Sequence, residues 1–157
     1  MVDAGKLILS IIICQLAGFV GSIFTRASVS TWYVTLNKPS FTPPGWVFGP
    51  VWITLYALMG ISAFLVWNKG FNDRQIKAAL IIFGIQLILN ALWSAAFFGL
   101  KSPLAGLIVI VILWLAILLT IFRFLNISAA AGLLLLPYIV WVSFAAVLNL
   151  SIFLLNK

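Results

Sequence analysis

The chain has 157 residues, of which 65% are hydrophobic and only 7% charged, and its nine Lys or Arg against two Asp give a net charge of +7. A soluble domain is about 25% charged, so this composition cannot coat a water-facing surface and the bilayer must be the solvent. There is no His, one cysteine (Cys14) and no carboxylate besides Asp3 and Asp73, which excludes imidazole catalysis, an internal disulfide, thiolate metal sites, acid–base carboxylate pairs and intramembrane proton relays.

Charges and prolines divide the chain into five apolar spans, about 5–26, 46–68, 76–98, 103–124 and 129–155, each of a length that crosses the hydrocarbon. The expectation is an all-α integral membrane protein, a single five-transmembrane-helix bundle over 1–157. The first span runs on from Lys6 to Arg26 without a small-residue cleavage site, so it reads as a permanent helix rather than a signal peptide. Its Gly18, Gly21 and Ser22 suit close helix contact. Segment 27–45 follows, rich in Pro, Trp and Tyr and too long for a plain connector. It reads either as an interfacial aromatic belt or as a semi-rigid lid on the helix ends.

On the second span Trp52, Tyr56, Gly60, Ala63 and Trp67 recur near helical spacing. The third segregates Gln86, Asn90, Trp93 and Phe97 onto one face, and Ala91, Ala95 and Gly99 onto roughly the opposite one. Amides are costly in hydrocarbon, so Gln86 and Asn90 should point into the bundle; the small strip should receive another helix, within the chain or across a dimer. On the fifth, which contains Pro137, Trp141, Ala145 and Asn149 form a further face.

Convergence of these faces would enclose an aromatic-walled cavity suited to flat hydrophobic ligands, with Tyr56, Asn90 and Asn149 orienting a polar edge. The alternative is a well-packed core with interhelical amide contacts. The cations lie scattered at the ends of apolar runs, which fits lipid headgroups and not nucleic acid. Lys6, Lys69, Arg74, Lys77 and Arg123 fall on one side and Arg26, Lys38, Lys101 and Lys157 on the other. Five against four leans towards a cytoplasmic N-terminus and leaves orientation open.

Taken in order, Trp32-Tyr33, Leu36, Lys38 to Pro44, Trp46, Phe48 to Trp52, Leu55-Tyr56 and Met59-Gly60 resemble the hallmark run of the TspO/MBR family. This is the tryptophan-rich sensory protein and translocator protein family, also called the peripheral benzodiazepine receptor family. Gln86-Leu87, Leu89-Asn90, Trp93, Phe97 to Gly99, Pro137-Tyr138, Trp141, Phe144-Ala145 and Leu148-Asn149 extend the resemblance over essentially the whole chain. It implies five membrane helices, often dimeric, with a porphyrin-binding pocket closed by the loop after the first helix. The pocket would comprise Trp52, Asn90, Trp93, Trp141 and Ala145, with Trp32, Pro43 and Pro44 from the loop, and Ala91, Ala95 and Gly99 resemble the proposed dimer face. The chain has Phe41 where many members place Trp, and its end, Leu150 to Lys157, lacks the Tyr of the motif proposed for cholesterol in animal members, so cholesterol is not expected.

Three functions follow as expectations. The first is a membrane binding protein or sensor for tetrapyrroles such as protoporphyrin IX, requiring no cofactor and no metal, in a multi-pass protein of a prokaryotic cell membrane. The second is a light-dependent porphyrin-degrading enzyme, with Trp52 and Trp141 as the oxidisable candidates for catalysis. The third is a transporter of porphyrin or another small hydrophobic molecule, against which stand the odd number of spans and the missing intramembrane acid.

Overall fold

Residues 3–157 are described by the structure, a computed structural model, and among them are five helices long and apolar enough to cross a bilayer. They are α1 (Ala4–Val29), α2 (Gly45–Trp67), α3 (Arg74–Gly99), α4 (Pro103–Leu125) and α5 (Ala129–Leu155). No strand occurs among the described residues. The sequence carries the start signals of four of them. Asp3 accepts the Lys6 N–H, Asp73 that of Gln75, Ser102 that of Ala105 and Ser128 that of Ala131, each relieving an orphan donor of a first turn. The bond from the Lys6 N–H holds the exposed Asp3 carboxyl below its ordinary value. Pro103 opens α4, where its missing N–H costs nothing.

Three local features depart from regular helices. First, α1 continues to Val29 with Arg26 in its last turn, where a cation suits the helix dipole, so the loop begins at Ser30 and not at 27. Second, α5 is interrupted at Leu134–Leu135 and resumes at Leu136. Pro137 cannot donate to the Leu133 carbonyl and its ring would strike it, which breaks the helix within the span 129–155. Third, α3 ends in a widened π turn, Ala95–Gly99, with the Leu100 N–H bonded to the Ala95 carbonyl and the Ser102 N–H to that of Phe97.

Around the bundle the order is α2, α1, α3, α4, α5. Glycines set the tightest seam: a Cβ on Gly60 would lie 2.6 Å from the Ile11 Cα, and one on Gly18 would collide with the Tyr56 ring. The packing role read for Gly18 and Gly21 on α1 is thus filled against α2 and α3. The ring closes weakly. α2 meets α5 chiefly at Ala129–Leu133, where the Ser62 hydroxyl donates to the Ala131 carbonyl at 2.7 Å, and the two helices diverge towards the other membrane face. Ile8, Phe19, Ile53, Ile81, Ile88 and Val140 point outwards, a lipid-facing surface that no aqueous protein would tolerate.

Candidate ligand site

The divergence of α2 from α5 leaves a wedge that aromatic side chains fill. Trp52 stacks on Tyr56, with centroids 5.4 Å apart, and meets Tyr138 edge-on at 6.3 Å. Nearer the wide end, Phe48 touches Trp141 at 5.8 Å, Trp141 touches Phe144 at 5.5 Å, and Phe41 of the loop closes on Phe144 at 6.3 Å. Offset and edge-on ring pairs of this kind add about 0.5–1.5 kcal/mol each beyond their buried area.

Behind the rings runs a chain of hydrogen bonds that satisfies the buried amides, as their cost in hydrocarbon demands. The Tyr56 hydroxyl donates to Asn90 Oδ1, Asn90 Nδ2 donates to the Tyr138 hydroxyl at 2.9 Å, and that hydroxyl donates to Gln86 Oε1 at 3.0 Å. A second link joins Trp93 Nε1 to Asn149 Oδ1 at 3.1 Å, while Asn149 Nδ2 reaches the Pro103 carbonyl at 2.8 Å. These links tie α3 to α5 across the interior, although α4 separates the two helices on the outside. Among the described residues two buried donors remain without a partner, Gln86 Nε2 and Trp141 Nε1.

Segment Ser30–Pro44 lies over the wide end as a lid. Its short turn Tyr33–Thr35 brings Trp32 to 5.6 Å from Phe97 and Tyr33 to 5.6 Å from Phe98. The π turn makes this contact, since it turns both Phe97 and Phe98 inwards and frees the Phe98 carbonyl for the Ser28 hydroxyl at 2.8 Å. Asn156 pins the lid to the end of α5, accepting from the Asn37 N–H at 2.9 Å and donating to its carbonyl at 2.8 Å. Lys38 Nζ folds back on the Tyr33 and Leu36 carbonyls. Burial raises the Tyr33 phenol above its ordinary pKa.

The structure therefore brings Trp52, Tyr56, Asn90 and Trp141 around one wedge, with Trp93 and Ala145 in the same packed core, whereas Asn149 turns towards α4, bonded to Trp93 and to the Pro103 carbonyl. Trp32 joins through Phe97 and not through Trp52. Pro43 and Pro44 serve the backbone, leading the lid into α2, and Pro44 is exposed. Gly60, Ala63 and Trp67 leave the face: Gly60 meets Ile11, and Ala63 and Trp67 line a groove beside α1 and α3. Ala91, Ala95 and Gly99 lie along α1, Ala91 facing Gly21 and Gly99 facing Phe24, so the small strip packs within the chain at least in part. Tyr138, outside the candidate site, joins Asn90 to Gln86. Its place beside Pro137 in the resemblance was the available signal.

The TspO/MBR family model matches residues 10–155. The tryptophan-rich protein TspO of Archaeoglobus fulgidus is 51% identical over 96% of this chain and 97% of its own. The tryptophan-rich sensory protein of Cereibacter sphaeroides is 37% identical, covering 80% and 77%, and the human translocator protein 38%, covering 86% and 80%.

Proposed function

The chain belongs to the TspO/MBR family and is a multi-pass integral membrane protein, and from that premise we propose that it binds and senses tetrapyrroles, with protoporphyrin IX as the representative ligand. The observation that carries this reading is the α2–α5 wedge, lined with rings and backed by two buried donors lacking acceptors. An unpaired buried donor costs about 1–3 kcal/mol, a cost that a ligand with acceptor atoms at its edge would remove. Flat apolar faces would replace the contacts Phe41, Phe48 and Phe144 now make with one another and with Trp141. Since those rings fill the wedge, binding requires Phe48 and Phe144 to swing aside and the lid, which carries Phe41, to lift. The sensory name of the Cereibacter relative supports the same reading, and the archaeal relative supports a prokaryotic cell membrane as its location.

Titration of protoporphyrin IX into detergent-purified protein tests it. Saturable quenching of tryptophan fluorescence in darkness is expected, weakened at least tenfold in Trp141→Ala. Absence of saturable quenching overturns the assignment. Because the chain has no His to ligate iron, metal-free porphyrin should bind at least as well as haem. A product band that grows only under light, and is lost with Trp52→Phe and Trp141→Phe together, would move the assignment to photochemical degradation.

A further inference from the structure

A lysine at a membrane surface ordinarily lays its stem on apolar neighbours and leaves its ammonium in water. Lys38 of the lid does otherwise. It is half-buried, and its Nζ donates to the Tyr33 carbonyl at 2.9 Å and to the Leu36 carbonyl at 3.0 Å while lying 4.8 Å from the centroid of the Tyr33 ring. Arg26, Lys101 and Lys157, at the same end of the bundle, are all exposed. The acids stand at the opposite end, Asp3 capping α1 in its ion pair with Lys6 and Asp73 capping α3. Among the described residues no acid pairs with Lys38, so a half-buried cation is left with two neutral carbonyls and a ring face as its partners.

Tyr33 and Leu36 pack into one cluster with Phe48 and Phe144 of the wedge, which places this charge at the wide end, three residues before the Phe41 that closes on Phe144. An ammonium has three donors; two are engaged, and they fix where the third is. The bonds that hold Lys38 are to residues of the lid itself, so they travel with the lid when it lifts and the charge stays preorganised. The rest of the wedge is lined by indole, phenol, amide and hydrocarbon, none of which tells an acid from its neutral ester. We propose that Lys38 is a specificity-determining residue of the wedge, its ammonium receiving a carboxylate on the edge of the flat ligand, so that acidic tetrapyrroles are selected over their esters. The ring then lies among the aromatic side chains and the acidic edge at the membrane face. A lipid phosphate offers the ammonium the same chemistry, and the test separates the two.

This inference rests on the wedge as the porphyrin site, and the experiment distinguishes failure of one from failure of the other. Protoporphyrin IX and its dimethyl ester are titrated in darkness into the full chain in phosphatidylcholine nanodiscs, with tryptophan quenching as the readout. Lys38→Gln should lower the affinity ratio of acid to ester about tenfold, the loss of one charge-assisted hydrogen bond, and should leave the ester's own affinity unchanged. Partition into the bilayer is common to all variants and cancels in that comparison. Lys38→Arg, which keeps the charge, and Lys101→Gln, which removes an exposed charge at the same end, should both preserve the ratio. Saturable binding of both forms with a ratio that Lys38→Gln does not move overturns the role of Lys38 and leaves the wedge standing. Equal weakening of acid and ester does the same, marking Lys38 as a clasp of the lid alone. No saturable binding of either form overturns both readings. If the dependence on Lys38 vanishes in nanodiscs that carry phosphatidylglycerol, the ammonium belongs to a lipid phosphate and the proposal falls.

Discussion

Tyr138 is the residue on which the interior turns. It is 1% exposed, and its hydroxyl both accepts from Asn90 and donates to Gln86, whereas the Tyr56 hydroxyl makes a single bond. Hydrogen bonds inside membrane proteins are worth about 0.6 kcal/mol on average and up to about 1.7. Tyr138→Phe should therefore destabilise the protein by about 1–3 kcal/mol, roughly twice the effect of Tyr56→Phe, in denaturant unfolding from detergent micelles. Glycines give a second contrast. Gly60→Ala forces a methyl against the Ile11 backbone and should cost about 1–3 kcal/mol by overpacking. Gly84→Ala meets nothing and should be neutral, or stabilising by up to about 1 kcal/mol. Equal melting temperatures for the two variants would contradict the close α1–α2 seam.

At the level of elements, the lid is the part whose behaviour depends on pH. Burial raises the pKa of Tyr33 when the lid is closed, so the closed state favours the neutral phenol. With the lid lifted, the phenol titrates near its ordinary value of about 10. The contribution to closure is complete below that value and is lost as pH rises towards the pKa of the closed state. Hydrogen exchange at Thr31–Thr42, corrected for its intrinsic rate, should accelerate above pH 10, and Tyr33→Phe should abolish the acceleration. The five spans were legible in the sequence because charges and prolines bracket them, and the aromatic and amide faces because helical spacing groups them. Less visible were the details set by tertiary packing. Nothing in Ala95–Gly99 announces the widened turn that directs both Phe97 and Phe98 inwards. Trp67 and Trp52 share helical spacing, yet α1 claims one and the wedge the other, since a period cannot say which neighbour a face will meet. Pro137 lies inside the fifth span as the sequence places it, and its missing N–H breaks α5 just before it.

For the whole molecule, the divergence of α2 from α5 matters most, and it is a property of backbone spacing that no single residue declares. The bundle is tied at one end by Ser62 and Ala131 and held apart at the other by Phe48, Trp141 and Phe144. Phe48→Ala removes the ring that fills the seam from the α2 side. It should speed porphyrin association severalfold in stopped-flow quenching; an unchanged rate would mean that the ligand takes a different path. The interior behind the wedge is composed of phenols, indoles, amides and hydrocarbon, while every Lys, Arg and Asp among the described residues sits at a helix end or in a connection. Moving one elementary charge through a membrane potential of 100 mV involves about 2.3 kcal/mol, and this protein has no such charge at its centre to move. Opening and closing of the wedge should thus be indifferent to voltage, with an uncharged porphyrin ester bound equally well in polarised and depolarised vesicles. A cell could energise or de-energise its membrane without changing what this protein holds.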